Sequence, residues 1–323
     1  MTPTLKGLGC FTIKIQRNEL AEPVKTKWRV RPVFSITLHI KDLPLLEAIQ
    51  NTLGVGSISK SKKVVIFAVD SIKEISVIIN HFDKYPLITH KLSDYLIFKQ
   101  CTEIIKQLAG GSEHLTERGL LDIISLKSNL NLGLPNNLKN AFPNIKAKDR
   151  PEFIFKGIPD PFWVTGFTSG DGSFHIVLKN GPRQDRKSGV FARFSIHLHI
   201  RELEVLKGIA TYLNLYPSQG AMALTSSTTP FFLKIKEPAG GPADKKIIIL
   251  EKSANLQIAK FADILDIIIP FFNQYPILGM KSLDFEDFKK VCNIMKTKDH
   301  LINPLVFNQI LQIKSGMNLN RKW

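Results

Sequence analysis

Residues Pro161–Phe174 read PFWVTGFTSGDGSF, which is the most informative stretch of this chain. Its small residues Gly166 and Gly170 are four apart, so they lie on one face of a predicted helix and let another backbone approach closely. One acid, Asp171, then falls where this helix meets a β-rich run, Ser173–Leu178. A carboxylate in that place is suited to holding a divalent metal, although an ordinary exposed aspartate at a helix end fits the same residues.

An internal repeat gives the motif its context. Phe34–Leu53 reads FSITLHIKDLPLLEAIQNTL, and Phe194–Leu213 reads FSIHLHIRELEVLKGIATYL, at a constant offset of 160 residues (194 − 34 = 213 − 53). Further along the chain, Tyr85-Pro86 recurs as Tyr275-Pro276 in the same order. The chain is therefore predicted to contain two copies of one unit of about 130–160 residues, an ordinary domain size.

Each copy has the same predicted plan. Its first strand alternates apolar and polar residues with a period of two, as Phe11, Ile13 and Ile15 do. The predicted strands are Cys10–Gln16, Val33–Ile40 and Val64–Val69 in copy one, and Ser173–Lys179, Arg193–Ile200 and Ile247–Leu250 in copy two. The predicted closing helices are Ile72–Phe82 and Leu92–Leu108, and Ile258–Phe272 and Ser282–Met295. This pattern predicts an α+β fold in which helices cover one face of an antiparallel sheet.

The domain boundaries follow from composition. The segment 129–160 carries Pro135, Pro143, Pro151 and Pro159 with little periodicity, which is typical of a linker. We therefore expect an N-terminal repeat at 1–128, a linker at 129–160 and a C-terminal repeat at 161–323.

The charge balance points to a polyanionic partner. The chain has 44 Lys and Arg against 28 Asp and Glu, a formal net charge of +16, which suits nucleic acid, although a basic organellar protein without that role has the same balance. The three cysteines show no metal-ligand spacing. No apolar run is long enough to span a membrane, since the longest, near Ile264–Phe272, contains Asp266 and Pro270.

Polar residues share one face of the predicted strands in both copies. Such a cationic, hydrogen-bonding sheet face can lie in the major groove of a duplex, although one polar strand face alone is usually just solvated. The candidate nucleic-acid-binding residues are Thr12, Lys14, Gln16, Arg31, Ser35, Thr37, His175, Lys179, Arg193, Ser195 and His197.

These features together resemble the single-chain LAGLIDADG homing endonucleases. The nine-residue motif of copy two is Val164–Gly172, VTGFTSGDG, and Phe34–Thr37, Lys84–Leu87 and Lys281–Asp287 also resemble family stretches. The resemblance implies two motif helices packed at a pseudo-dyad, saddle-shaped sheets that bind a long double-stranded DNA site, and motif acids that hold Mg²⁺. It also implies an origin in an organelle group I intron and a location in the mitochondrial matrix.

Copy one departs from the family pattern. When the copies are aligned at Gly9 and Gly172, Leu8 falls opposite Asp171. Two further aligned pairs are Lys6 with Ser169 and Pro3 with Gly166. The sequence therefore leads us to expect that most of the first motif helix is absent and that its acid is a leucine, which cannot ligate Mg²⁺.

A second departure concerns a basic residue that the family often carries after the last strand of each copy, near the scissile phosphate. The sequence alignment places Lys252 there in copy two and Ser71 in copy one. The catalytic residues implied by the resemblance are thus Asp171, as the metal ligand, and Lys252.

Three functions fit this combination. The first is a duplex-DNA-binding protein whose catalysis is reduced to single-strand nicking or lost. The second is an RNA-binding descendant, either a group I intron maturase or a component of an organelle ribosome. The third is an active double-strand endonuclease with further residues upstream of Met1. For the first two we also expect a ribonucleoprotein or another protein, or the chain's own residues, to cover the motif helix.

Overall fold

Alternating apolar residues build two four-stranded antiparallel sheets in this chain. The computed structural model describes residues 9–17, 27–109, 116–179, 189–215, 246–318 and 321. The chain divides into two compact units, one comprising residues 1–157 with 278–280 and the other residues 158–277 with 281–323. In each sheet the strands, counted along the chain, lie in the order first, second, fourth, third, so the two sheets share one topology. The predicted α+β class is confirmed.

The first unit places its strands before its closing helices. Its first helix follows a 3₁₀ turn at Ile40–Asp42, has a proline in its first turn, and ends at Gly54, whose positive φ of 68° suits glycine. The elements are β1 (Gly9–Arg17), β2 (Trp28–His39), α1 (Leu43–Leu53), β3 (Ser57–Lys60), β4 (Val64–Val69), α2 (Ile72–Lys84), α3 (Lys91–Ala109), α4 (Glu117–Lys127) and α5 (Asn136–Ala141).

The second unit begins with the motif helix and then repeats the plan. Its α8 is composite, running through Phe261–Asp263, a π-helical stretch Ile264–Ile268, and Ile269–Gln274. The other elements are α6 (Pro161–Asp171), β5 (Gly172–Lys179), β6 (Gly189–His199), α7 (Leu203–Tyr212), β7 (Ile247–Ile249), β8 (Ser253–Ile258), α9 (Lys281–Thr297) and α10 (Pro304–Ser315).

A cluster of aromatic side chains forms the centre of each core. Phe11 on β1 packs against four rings, and Phe174 on β5 packs against the four equivalent rings. Their ring centroids lie 5.2–5.4 Å from Phe34, Phe82, Tyr95 and Phe98 in the first unit. They lie 5.2–5.7 Å from Phe194, Phe272, Phe285 and Phe288 in the second. Tilted and edge-on packing of this kind anchors each first strand between the sheet and its helices.

Part of the proline-rich segment 129–160 packs within the first unit. Leu130, Leu134 and Leu138 belong to its hydrophobic core. Asn131 donates a hydrogen bond from Nδ2 to the carbonyl oxygen of Phe11 at 2.7 Å, as Asn318 does to Phe174 at 3.0 Å in the second unit. The first residues of this segment thus make, in the first unit, the contact that Asn318 makes in the second.

Several elements, β8 and β2 among them, differ from the sequence prediction. Strand β8 was not identified from the sequence, and the helix predicted from Ile258 begins at Phe261 because Ser253–Ile258 pairs with β6 and β7. Strand β2 also begins at Trp28, five residues before the predicted Val33, because Arg29 and Arg31 pair with Gln16 and Lys14 of β1.

Candidate metal and nucleic-acid sites

The motif helix α6 carries Asp171 at its C-terminal end. The helix begins at Asp160, whose carboxylate accepts a hydrogen bond from the amide of Trp163 at 2.9 Å. Residues 163–168 are all buried. Because six consecutive residues turn through more than a full circle of an α-helix, α6 is covered on every side along this stretch. Asp171 itself is exposed, so its carboxylate is open to solvent where the helix ends.

Gly172 makes the direct passage from this helix into β5. A Cβ atom at Gly172 would lie 2.5 Å from Cγ2 and 2.8 Å from the carbonyl oxygen of Thr168. Both distances are too short for a Cβ atom, so glycine is the residue that lets β5 start immediately after Asp171. The backbone of Asp171 is therefore held between a buried helix and the first residue of a paired strand.

Lys281, at the start of α9, stabilises the same junction. Its ammonium group donates hydrogen bonds to the carbonyl oxygens of Gly170, at 3.2 Å, and Gly172. A positive charge at the end of a helix interacts favourably with the helix dipole. These two carbonyls flank Asp171 in the chain, so Lys281 restrains the backbone on both sides of the acid.

The equivalent junction in the first unit confirms the alignment at Gly9. Gly9 pairs with Ile36 in β2, and Gly172 pairs with Ile196 in β6 at the repeat offset of 160 (196 − 36). Lys91 also donates to the carbonyl oxygen of Gly9 at 2.8 Å. Leu8 therefore precedes the residue that matches Gly172, and Leu8, Lys6 and Pro3 themselves lie outside the described residues.

A metal at this site would use Asp171 as a single protein carboxylate. No cluster of three or more His, Cys, Asp or Glu side chains that could hold a metal occurs in the described parts of the chain. Mg²⁺ keeps several waters and is usually bound by one or two carboxylates together with substrate phosphates. An exposed carboxylate on a rigid junction fits this mode of binding, which needs a phosphate to complete the coordination.

Lys252 does not lie after the last strand, and the alignment of Lys252 with Ser71 is wrong. Lys252 precedes β8, and its carbonyl accepts from the amide of Ile200 at 3.0 Å, as Lys63 does from Ile40. Because β4 and β8 match at an offset of 189 residues (253 − 64), Ser71 corresponds to Lys260. The unrecognised strand β8 caused the error. The side chain of Lys260 is 74% exposed and lies 3.6 Å from Asp263.

The first sheet presents the predicted polar residues on one face. Lys14 lies opposite Arg31, and Arg31 lies 3.6 Å from Asp70, which partly offsets its charge. The missed residue Arg29 is exposed and lies opposite Gln16 on the same face. The structure brings together on this face Thr12, Lys14, Gln16, Arg31, Ser35 and Thr37.

The second sheet presents a different face. His175 lies opposite Arg193, and His197 is exposed, whereas Ser195 is buried. Lys179 ends β5, but its side chain lies outside the described residues. Two polar residues that sequence reasoning missed extend this face along β8: Asn255 lies opposite His197, and Gln257 lies opposite Ser195. The alternation in Ser253–Ile258, SANLQI, is the signal that identifies them.

The electrostatic environment of this second face is positive. The pKa of His175 lies below its ordinary value of 6.5 because its imidazole is partly desolvated and because the charges of Arg193 and Lys281 oppose protonation, while Asp284 acts in the opposite direction. A face that disfavours a further positive charge favours an approaching phosphate.

No helix within the described ranges is both long and apolar enough to cross a membrane. The formal net charge of +16 is in keeping with a polyanionic partner for these polar faces.

Comparison with known families agrees with this geometry. The family model described as LAGLIDADG endonuclease matches residues 5–102, 164–237 and 218–292. The chain is 32% identical over 303 residues to probable intron-encoded endonuclease 3 of Neurospora crassa, covering 92% of this chain and 50% of that protein. It is 31% identical to probable intron-encoded endonuclease 2 of the same fungus, covering 96% of this chain and 62% of that protein. The chain thus spans half to about three fifths of these relatives.

Solved structures are similar over nearly the whole chain. The meganuclease I-CpaMI bound to uncleaved DNA has a TM-score of 0.84 and 40% identity, covering 98% of this chain and 97% of that one. The protein I-SmaMI, bound to an uncleaved DNA target in the presence of calcium ions, has a TM-score of 0.81 and 36% identity, covering 98% and 97%.

Proposed function

Because the chain belongs to the LAGLIDADG endonuclease family, we propose that it binds duplex DNA through the polar faces of its two sheets and cuts one strand with the help of Asp171. The observation that carries the proposal is the common register of the sheets, which aligns Gly9 with Gly172. This register makes Leu8 the counterpart of Asp171, so the two repeats offer unequal chemistry to the two strands.

Asp171 supplies the metal-binding oxygen in this proposal. Mg²⁺ fits an exposed carboxylate that is completed by water and by phosphate oxygens of the substrate. When bound, such a metal stabilises charge on the attacking and leaving oxygens of phosphodiester cleavage. The chain's own contribution is to hold Asp171 still, through the buried helix α6, through Gly172 and through the hydrogen bonds from Lys281.

The first repeat offers a leucine in place of this acid. A leucine side chain has no oxygen with which to ligate a cation, so the metal affinity on that side falls. Loss of an essential metal-binding carboxylate reduces a rate by ~10³-fold or more, which corresponds to several kcal/mol of transition-state stabilisation. Cleavage by this chain is therefore proposed to stop at a nick in the strand served by the second repeat.

Lys260 replaces Lys252 as the proposed cationic helper. Lys260 directly follows the last strand of the second unit, where Ser71 stands in the first. A flexible, exposed ammonium group in this place is suited to stabilising negative charge that develops on the phosphate. The helper and the metal ligand are thus both proposed for the second repeat alone.

Binding to duplex DNA is tested first, by selection from a randomised double-stranded library followed by titration at several salt concentrations. Affinity should fall steeply with salt, because contacts to phosphates release counterions. Lys14→Ala and Arg193→Ala should each weaken binding and lower the slope of log K against log salt by about 0.9, the contribution of one phosphate contact.

A matched control keeps this test specific. Lys290→Ala removes an exposed lysine on α9 that pairs with Asp287, and it should change the slope little. Binding that is independent of salt, or a complete failure to enrich any duplex, would contradict the proposal.

An RNA ligand remains the second candidate, because the replacement of one catalytic acid by Leu8 fits a protein that has kept binding without efficient cutting. Competition decides between the two ligands. Displacement of the selected duplex by structured RNA at a lower concentration than by duplex DNA would favour an intron maturase or an organelle ribosome component. A location in the mitochondrial matrix is proposed with either ligand, and the intron-encoded relatives support it.

A further inference from the structure

The two polar sheet faces differ at a pair of positions that occupy the same place in each repeat. In the first unit, Lys14 of β1 lies directly opposite Arg31 of β2. In the second unit, the same place is occupied by Val177 of β5 opposite Phe191 of β6. Residues directly opposite in an antiparallel pair share one face of the sheet. A cationic pair in one repeat is thus an apolar pair in the other.

A second difference lies at the edge strand. Ser59 pairs with Ile66 in the first sheet, and Ile248 pairs with Asn255 in the second. The hairpin turns confirm that these positions match, because the amide of Ser61 donates to Val64 and the amide of Leu250 donates to Ser253, each at 2.8 Å. In this pair the isoleucine thus lies on the edge strand in the second repeat, as Ile248, and on β4 in the first, as Ile66.

These apolar side chains are exposed on the polar face. Phe191 is 45% exposed and Ile248 is 42% exposed. Phe191 lies two residues from Arg193 along β6, and Ile248 lies opposite Asn255, which lies opposite His197. Both residues thus have hydrogen-bonding groups among their neighbours on the face that is proposed to bind DNA, so a duplex on this face can reach them.

The major groove offers one apolar feature that suits such side chains. Thymine presents its C5-methyl group there, whereas the other bases present only donors and acceptors. We propose that Phe191 and Ile248 make the second repeat select thymine by contact with C5-methyl groups, whereas Lys14, Arg31 and Ser59 contact polar groups in the other half-site. This inference rests on the proposed binding of duplex DNA.

Deoxyuridine tests the inference, because it pairs as thymine does but lacks the methyl group. Each thymine of the selected duplex is replaced in turn by deoxyuridine, and the dissociation constant is measured. Replacement at a contacted thymine should weaken binding about fourfold, the value of one buried methyl group. The Ile248→Ser variant, which installs the residue of the first repeat, should lose this sensitivity at one position, and Phe191→Ala should lose it at another.

Three controls separate the contact from general effects. Ile248→Val keeps apolar contact and should keep most of the sensitivity. Ile302→Ser removes an apolar side chain that is 78% exposed outside the two sheets, and it should behave as the wild type does. Arg31→Ala should weaken binding but leave the deoxyuridine effect of the second half-site intact.

The outcomes are distinct. Duplex binding that is indifferent to deoxyuridine at every position overturns the inference and leaves the proposed function standing. Sensitivity that Ile248→Ser and Phe191→Ala both retain also overturns it, because other residues then contact the methyl groups. Failure to bind any duplex overturns the proposed function itself.

Discussion

Lys91 donates a hydrogen bond from its ammonium group to the carbonyl oxygen of Gly9 at 2.8 Å. Lys281 makes the equivalent bond to Gly172 and a second one, at 3.2 Å, to Gly170. An equivalent lysine thus holds the first residue of the first strand in each repeat, although an acid precedes that residue only in the second. The restraint therefore belongs to the fold of both repeats and does not depend on an acid at the preceding position.

Replacement of Lys281 by methionine should therefore act on both stability and cleavage. Hydrogen bonds to a charged group contribute about 1.5–3 kcal/mol, so the free energy of unfolding in urea should fall by about that amount. Cleavage should fall further than stability explains, because Asp171 loses its restraint. Lys290→Met, which removes a surface ion pair with Asp287, should cost less than about 1 kcal/mol. Equal effects of the two variants would contradict this role.

Gly172→Ala should destabilise the second unit. The added Cβ would meet Thr168 at 2.5 Å, and inserting a methyl group into a packed site costs about 1–3 kcal/mol. Gly316→Ala is the matched control, since its Cβ would meet nothing closer than 3.6 Å and should be tolerated. Thermal unfolding of both variants gives the comparison, and a Gly172→Ala protein as stable as the wild type would show that the junction relaxes easily.

His175 should make DNA affinity depend on pH. Its pKa lies below 6.5 in the free protein, mainly through partial desolvation and the nearby Arg193 and Lys281, and a bound phosphate should raise that pKa. The complex then binds more protons than the free protein, so affinity should increase as pH falls from about 6.5. The increase should be smaller in His175→Asn, measured by titration between about pH 5 and pH 7.5. A DNA affinity that decreases as the pH is lowered from about 7.5 to about 5 would contradict this prediction.

Lys260→Ala should slow cleavage while leaving binding nearly unchanged, because an exposed side chain that follows β8 is proposed to act on the developing charge. Lys252→Ala provides the comparison, since Lys252 lies in the turn before β8. Single-turnover rates on the selected duplex distinguish the two. A larger loss in Lys252→Ala would restore the role that the sequence alignment gave to that residue.

The sequence predicted the fold well because hydrophobic alternation and the repeat act together. Phe11 and Phe174 are the third residues of equivalent strands, and their aromatic neighbours recur in the same order. It failed at β8, a short strand that follows an insertion of 29 residues relative to the first repeat (189 − 160). Because β8 was missed, the sequence alignment assigned the role of cationic helper to Lys252, whereas Lys260 is the residue that matches Ser71.

The character of the second face was also beyond the sequence prediction. Parity along one strand identifies which residues share a face, and it identified Arg193 and His197 correctly. It does not show which residue lies opposite, and that depends on the pairing register of two strands. The apolar pair Val177 and Phe191 therefore became visible only when β5 and β6 were aligned.

Of the two aligned motif positions, one is an acid, Asp171, and the other is Leu8. The most direct test is cleavage of a supercoiled plasmid that carries the selected site, with the 323-residue chain and Mg²⁺. We expect nicked circles, cut in one defined strand, and no product with Asp171→Asn, although that variant should bind as the wild type does. The control Asp266→Asn, which changes an exposed acid of α8, should nick normally. Rapid conversion to linear plasmid by the unmodified chain would show that it cuts both strands and would contradict the proposed single-strand cleavage.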